Sequence, residues 1–136
     1  MPRMSAEDFF DTNVILYLLD DGPKADRAET LLSGGGLISV QVLNEALVNC
    51  RRKAGLSWAE SARFLQGIRR LCRVVPLTPE THDIGRALAE TCGLSVYDAM
   101  IAAAALQAGC TRLWTEDMHH GLRIEGRLEL VNPFAG

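Results

Sequence analysis

Four acidic residues of this 136-residue chain stand in apolar or strand-like surroundings where a lone charge is out of place. Asp11 lies in the sequence FFDTNVILYLL, Glu45 in VQVLNEALVN, Asp98 in VYDAMIAAAAL and Asp117 in LWTEDM. Burying a carboxylate costs free energy unless another group compensates its charge. The group that compensates these four acids therefore decides the function.

Each acid also has an ordinary structural interpretation. Asp11 and Asp117 can make local hydrogen bonds in turns, and Glu45 can face solvent on a helix. Asp98 can belong to a capping box with Ser95, three residues earlier. If the acids instead cluster, they repel one another, and a hard divalent cation removes the conflict. Mg²⁺ prefers a few carboxylates together with water molecules.

Short apolar stretches alternate along the chain with longer segments of helical periodicity. Strands are predicted at 8–11, 37–39, 73–77, 111–115 and 129–131. Helices are predicted from near Asn13 with Thr12 as the cap, from Pro23 to the glycines at 34–36, and over 40–53, 57–71, 79–91 and 95–108. This alternation predicts a parallel sheet covered by helices on both faces. All four acids then fall at or near the carboxyl edge of that sheet, where ligands bind in such folds.

Composition narrows the class of protein. With 14 Lys and Arg against 17 Asp and Glu, the net charge of −3 argues against a generally basic nucleic-acid-binding module. The length suits one domain spanning residues 1–136. No apolar run approaches the roughly 20 residues of a membrane span, and the first ten residues lack the pattern of a secretory signal. We therefore expect a soluble, cytoplasmic domain that does not contact a membrane.

The four cysteines indicate neither a zinc site nor a disulfide framework. Cys50, Cys72, Cys92 and Cys110 lie about twenty residues apart, without a C-x-x-C pair. Each falls among apolar residues near a predicted helix end, so we expect buried free thiols. Carboxylates without a Cys or His nucleophile pattern, and without a P-loop, favour metal-assisted phosphoryl chemistry.

The ordered set of motifs resembles a known family over essentially the whole chain. The matching segments are Asp11-Thr12-Asn13, the helix with Glu45, Tyr97-Asp98-Ala99 before the alanine run, and Thr115-Glu116-Asp117. Together they resemble the PIN-domain ribonucleases, and most closely the VapC-like toxins of type II toxin–antitoxin pairs. The resemblance implies a three-layer α/β/α domain with a central parallel sheet. It also implies an endoribonuclease that depends on Mg²⁺ or Mn²⁺.

The resemblance carries over to individual residues and to partners. The acidic positions that hold the metal and activate a water for attack on RNA match Asp11, Glu45, Asp98 and Asp117. The polar neighbours that orient them match Thr12, Asn13 and Thr115. The family further implies a homodimer and a cognate antitoxin that obstructs the site. Transfer, ribosomal and messenger RNA are all candidate substrates, with one or two metal ions.

Two alternative functions stay open at this stage. A haloacid-dehalogenase-like phosphatase also has an Asp after its first strand, but its D-x-D motif would need an acid where this chain has Asn13. A receiver-like signalling domain binds Mg²⁺ in an acidic pocket, yet no lysine follows Lys53. We assign no metal role to His119-His120, and we expect Glu116 to be exposed in a loop. The sequence shows no aromatic platform on which RNA bases would stack.

Overall fold

The computed structural model of the protein describes residues 8–135. The expectation that the chain lacks a secretory signal rests on the first ten residues, of which residues 1–7 lie outside the described part. The strands are β1 Asp8–Phe10, β2 Gly36–Ser39, β3 Cys72–Val75, β4 Arg112–Trp114, β5 Arg123–Ile124 and β6 Leu128–Val131. The α-helices are α1 Thr12–Leu16, α2 Pro23–Ser33, α3 Val40–Arg52, α4 Trp58–Leu71, α5 Pro79–Cys92 and α6 Val96–Gln107, with a 3₁₀ turn at Tyr17–Leu19.

The strands form one sheet in the order β3-β2-β1-β4-β6-β5. Neighbours from β3 to β6 pair in parallel, and β5 alone runs antiparallel, against β6. Helices cover both faces, so the prediction of a three-layer α/β/α fold with a central parallel sheet is confirmed. The antiparallel edge strand was not predicted, because two residues are too few to show a strand pattern.

The chain reverses its direction of travel across the sheet at β1. From β1 it proceeds through β2 to β3 on one side, whereas β4 and β6 lie on the other. The carboxyl ends of β1 and β4 therefore border a topological switch point, the usual place for a ligand crevice. Phe10 pairs with Trp114, and the backbone N–H of Asp11 donates to the Trp114 carbonyl at 2.9 Å. The pairing thus sets Asp11 and Thr115 side by side just beyond the strands.

The core on which this edge rests is tightly packed. Phe9 and Phe10 in β1 are completely buried. A Cβ on Gly36 would lie 2.5 Å from the Phe10 ring and 2.9 Å from the carbonyl oxygen of Asp8, and the φ of Gly36 is +155°. Only glycine meets both conditions, so the start of β2 can approach β1 closely.

Helix α6 matches its prediction as a buried helix over most of its length. Residues 99 and 101–106 are buried, whereas Val96 and Tyr97 in its first turn are 57% and 64% exposed. All four cysteines are free thiols, as predicted, although Cys92 is half-buried rather than buried. Within residues 8–135, no helix is long and apolar enough to cross a membrane.

Helix caps confirm most of the predicted helix starts. Ser57 and Glu60 form the expected capping box of α4, and Thr78 caps α5. The prediction that Thr12 caps α1 is wrong by one residue. Asp11 is the N-cap, since its Oδ1 accepts the backbone N–H of Thr12 at 2.7 Å. A carboxylate accepts such a bond well at the positive end of a helix.

Candidate functional site

Asp11 lies just beyond the carboxyl ends of β1 and β4, and only 3% of it is exposed. We call the region that it shares with Glu45, Asp98 and Asp117 the acidic crevice. Its Oδ1 accepts the Thr12 backbone N–H. Its Oδ2 accepts the Thr115 hydroxyl at 2.7 Å and the Asn13 amide at 3.3 Å. The carboxylate therefore has three hydrogen-bond donors, and each of the three is uncharged.

These donors do not fully compensate the charge of Asp11. Burial raises its pKa from the ordinary 3.8 to about 7, although the hydrogen bonds from Thr115 and Thr12 act in the opposite direction. The negative charges of Asp98 and Glu45 raise the pKa further. A nearby cation would restore the charged form, because opposite charge favours ionisation.

Glu45, on α3, lies across the crevice from Asp11 and is half-buried. Its Oε1 accepts the hydroxyl of Thr12 at 2.8 Å, and its Oε2 accepts the side-chain amide of Gln41 at 2.8 Å. Thr12 thus joins the end of β1 to the third helix. Gln41 was missed by the sequence analysis; its position four residues before Glu45, on the same helical face, is the signal that points to it.

Asp117 follows β4 and is joined to Asp11 through Asn13. The Asn13 amide donates to Asp117 Oδ2 at 3.0 Å, and its carbonyl oxygen accepts the Glu116 backbone N–H at 3.2 Å. The Thr115 hydroxyl, while donating to Asp11, accepts the backbone N–H of Asp117 at 3.3 Å. Asn13 and Thr115 therefore fix the relative positions of two acids that lie far apart in the sequence.

Asp98 lies half-buried in the first turn of α6. Burial is the main cause that raises its pKa, and the charges of Asp117 and Glu45 add to the effect, while the Ser95 hydroxyl partly offsets it. Ser95 caps the helix by accepting the backbone N–H of Asp98 at 3.2 Å. The Ser95 hydroxyl thus interacts with both the backbone N–H and the carboxylate of Asp98, and this carboxylate shares the electrostatic environment of the other acids.

The structure brings all four predicted acids to one crevice, but their carboxylates are not in direct contact with one another. In the described part of the chain, no three Asp, Glu, His or Cys side chains are grouped closely enough to hold one metal ion. The neutral donors Thr12 and Asn13 lie between the carboxylates instead. Hard oxygen donors that repel one another suit Mg²⁺, which binds one or two carboxylates and keeps several waters.

A family model described as the PIN domain matches residues 9–121, a span that contains the four acids. The chain belongs to the PIN-domain family. The resemblance noted from the motifs is thereby confirmed. Among curated protein sequences, no relative matches this chain.

Solved structures share the fold of this PIN domain at low sequence identity. A toxin–antitoxin complex from Klebsiella pneumoniae matches with a TM-score of 0.73 at 20% identity, covering 94% of this chain and 98% of that chain. VapC20 from Mycobacterium tuberculosis, a sarcin–ricin loop cleaving toxin, matches with a TM-score of 0.67 at 19% identity, covering 82% and 90%. DNA-bound VapBC from Salmonella typhimurium matches with a TM-score of 0.67 at 21% identity, covering 91% and 97%.

Glu116 departs from the expectation of an exposed loop residue in this PIN domain. Its side chain is 24% exposed, forms an ion pair with Lys24 and accepts the Tyr17 hydroxyl at 2.9 Å. The pair with Lys24 and Tyr17 ties the loop after β4 to the start of α2. Glu116 therefore supports the loop that carries Asp117, and its carboxylate is paired with the ammonium group of Lys24.

We expect Asp98→Asn to melt at or above the wild-type temperature in EDTA. The substitution removes a negative charge that the other acids disfavour, and it keeps the Asp98 backbone N–H that binds the cap. A metal ion that binds only the folded state raises the melting temperature. In Mg²⁺, the variant should therefore gain less in melting temperature than the wild type, because it has one carboxylate fewer to bind the ion. Thermal melts with and without Mg²⁺ measure both effects.

Ser95→Ala is the matched control for this prediction. Loss of the cap should lower stability by about 1 kcal/mol whether or not metal is present. If Asp98→Asn melts as low as Ser95→Ala in EDTA, the Asp98 side chain serves the helix rather than the crevice.

Proposed function

We propose that this PIN domain is an endoribonuclease that hydrolyses RNA phosphodiesters with the help of Mg²⁺ or Mn²⁺. The observation that carries the proposal is Asp11, a buried carboxylate at the switch point whose hydrogen-bond donors are neutral and whose pKa is raised to about 7. Such a group calls for a cation. The ligands of the ion would come from Asp11, Glu45, Asp98 and Asp117, with one or two of these carboxylates binding it directly and the others acting through its water molecules.

The donor set fits the proposed ion. When bound, a divalent cation lowers the pKa of water and neutralises charge that develops on the phosphodiester. Asn13 and Thr115 hold Asp11 and Asp117 in a fixed relation, and Thr12 holds Glu45. These bonds set the carboxylate positions before substrate binds, so little reorganisation is needed during the reaction.

The carboxylates of the crevice have a second task in the proposed reaction. They accept hydrogen bonds from a water, orient it towards phosphorus and take up its proton as it attacks. The phosphorus–oxygen bond opposite the attacking water breaks, the leaving oxygen takes up a proton from solvent, and RNA is cut in two. Gln41 and Thr12 together keep Glu45 in place. The Gln41 amide donates to Oε2 of Glu45, and the Thr12 hydroxyl donates to Oε1 of Glu45.

We further propose that the domain is the toxin of a toxin–antitoxin pair. Support comes from fold similarity to a toxin–antitoxin complex and to DNA-bound VapBC. In this proposal the whole chain of 136 residues is one cytoplasmic domain, acts as a homodimer, and is inhibited by a small cognate antitoxin.

Both alternative functions fit the crevice less well. The phosphatase reaction needs an acid at position 13, where the Asn13 amide instead donates to Asp11 and Asp117. The receiver alternative needs a lysine near the end of the chain, and none follows Lys53.

Cleavage of a mixed pool of structured RNAs by purified, antitoxin-free protein tests the proposal. We expect discrete cuts in Mg²⁺ or Mn²⁺ and none in EDTA. Calorimetric titration with Mn²⁺ in the same samples reports metal binding directly. Folded protein that neither cuts RNA nor binds Mn²⁺ would refute both the activity and the acidic site.

A further inference from the structure

A hollow of about 490 Å³ lies directly beside the acidic crevice and shares Glu45 with it. It is formed by α3 and the first turn of α6. The residues that line it are Gln41, Asn44, Glu45, Val48, Asn49 and Tyr97. We propose that this hollow binds one nucleobase of the RNA, next to the phosphodiester that is cut, with the base stacked on the Tyr97 ring. The inference rests on the proposed function and deepens it.

Tyr97 has the exposure and the position that a stacking residue needs. Its side chain is 64% exposed, and it immediately precedes Asp98 of the acidic crevice. Val48, which is 47% exposed, adds an apolar surface from α3. Every base has a π-face, so an exposed aromatic ring beside a phosphodiester site offers a base about 1–3 kcal/mol of stacking free energy.

The rest of the lining is rich in side-chain amides, the groups that read base edges. Asn49 donates its amide to the Glu45 backbone carbonyl at 2.8 Å, and Gln41 donates its amide to Glu45 Oε2. In the hydrogen bonds described for residues 8–135, the carbonyl oxygens of these two amides accept nothing. The exposed Asn44 side chain enters none of those bonds and offers both a donor and an acceptor. Amides can pair with the Watson–Crick edge of an unstacked base.

The chemistry and the position of the lining residues suit a nucleobase. The hollow is open to solvent, so one planar base can lie against its wall with its polar edge towards the amides. Three of its six lining residues carry amides, which supply the donors and acceptors that the edge of a base requires. Continuity with Glu45 also places any bound base next to the proposed point of cleavage. The hollow is therefore best suited to a base of the bound RNA.

Substitution of Tyr97 tests stacking in two independent assays. Fluorescence of RNA oligonucleotides that carry 2-aminopurine at successive positions reports stacking in EDTA, where no cleavage is expected. Cleavage of the RNA pool in Mg²⁺ reports kcat/KM. We expect Tyr97→Leu to abolish the quenching at one position and lower kcat/KM roughly 10- to 100-fold. Tyr97→Phe should retain the quenching and remain within about twofold of wild type.

Trp58→Leu is the matched control. Trp58 is 65% exposed, but it lies on α4, where the Arg51 guanidinium sits 4.2 Å from its ring centroid, and it does not line the hollow. Its replacement should leave quenching and cleavage unchanged. Asn44→Ala provides a second variant inside the hollow. Wild-type protein should cleave RNAs that differ only at the stacked base at different rates. In Asn44→Ala, the ratio between the fastest and the slowest of these rates should be smaller by roughly fivefold or more.

The outcomes separate the base site from the proposed nuclease. If the wild type cuts RNA and Tyr97→Leu cuts equally well, the base site is refuted and the nuclease stands. If quenching depends on Tyr97 but no RNA is cut, the base site stands and the nuclease is refuted. Sedimentation equilibrium is run on each variant. If Tyr97→Leu loses activity only together with a change of oligomeric state, the surface is a contact between copies and the inference is overturned.

Discussion

Asp11→Asn is expected to lower metal-dependent RNA cleavage by roughly 100- to 10,000-fold while the protein stays folded. Asn keeps the size of the side chain and one oxygen that can accept the Thr12 backbone N–H, so the cap of α1 persists. It removes the charge that would bind a cation and the second oxygen that accepts the Thr115 hydroxyl. Initial rates of cleavage in Mg²⁺, with circular dichroism on the same samples, measure the effect.

Glu116→Gln is the matched control for Asp11→Asn. Glu116 is an acid at the same edge of the sheet, but its side chain binds Lys24 and Tyr17 rather than the acids of the crevice. Loss of a partly exposed ion pair costs little stability, so the rate should stay within about threefold of wild type. If both variants lost the same fraction of cleavage activity, the total negative charge at this edge of the sheet, and not Asp11 in particular, would support cleavage.

Two of the acids, Asp11 and Asp98, stand out in the sequence because their local context is incompatible with their charge. Asp11 follows two residues that are completely buried, and Asp98 precedes a nearly continuous apolar helix. The parallel sheet then follows from the alternation of strands and helices, which places strand ends on one edge. These arguments need only periodicity and local charge, and both are visible in the chain.

The contacts that join the acids could not be found in the same way. Asn13 binds Asp117 across 104 residues, and its amide could equally have served a local turn. The role of Glu116 depends on Lys24, which lies 92 residues earlier in the chain. Such pairs form only when strand register and helix position are correct to within about an ångström. No local sequence pattern specifies positions that accurately.

Tyr97 shows a different limit of sequence interpretation. The apolar run from Val96 to Leu106 predicts a helix buried on all sides, and residues 99 and 101–106 confirm it. The first turn differs because it contributes to the wall of the hollow instead of packing in the core. Hydrophobic character is the same for a core residue and for a residue that binds an apolar ligand. The expectation that the chain has no stacking platform is therefore tested directly by the Tyr97→Leu assays.

Without metal, the wild type should lose stability as pH rises from about 4 to about 7. Asp11 has a folded-state pKa of about 7 against an ordinary value of 3.8, so the folded state holds its proton over that range and the unfolded state does not. Stability from this group is thus fully present below pH 4 and lost above pH 7. Three pH units at about 1.4 kcal/mol each give a loss of about 4 kcal/mol, or roughly 15 °C in melting temperature.

Asp11→Asn isolates this term from every other titrating group, because the variant has no ionisable group at position 11. In EDTA, the wild type should melt progressively lower than the variant between pH 4 and pH 7, and the difference should then level off. Addition of Mg²⁺ at pH 7.5 should raise the wild type alone, since a cation that binds charged Asp11 stabilises only the folded state. Parallel pH curves for the two proteins in EDTA would mean that Asp11 ionises normally, and the buried carboxylate would then need no cation.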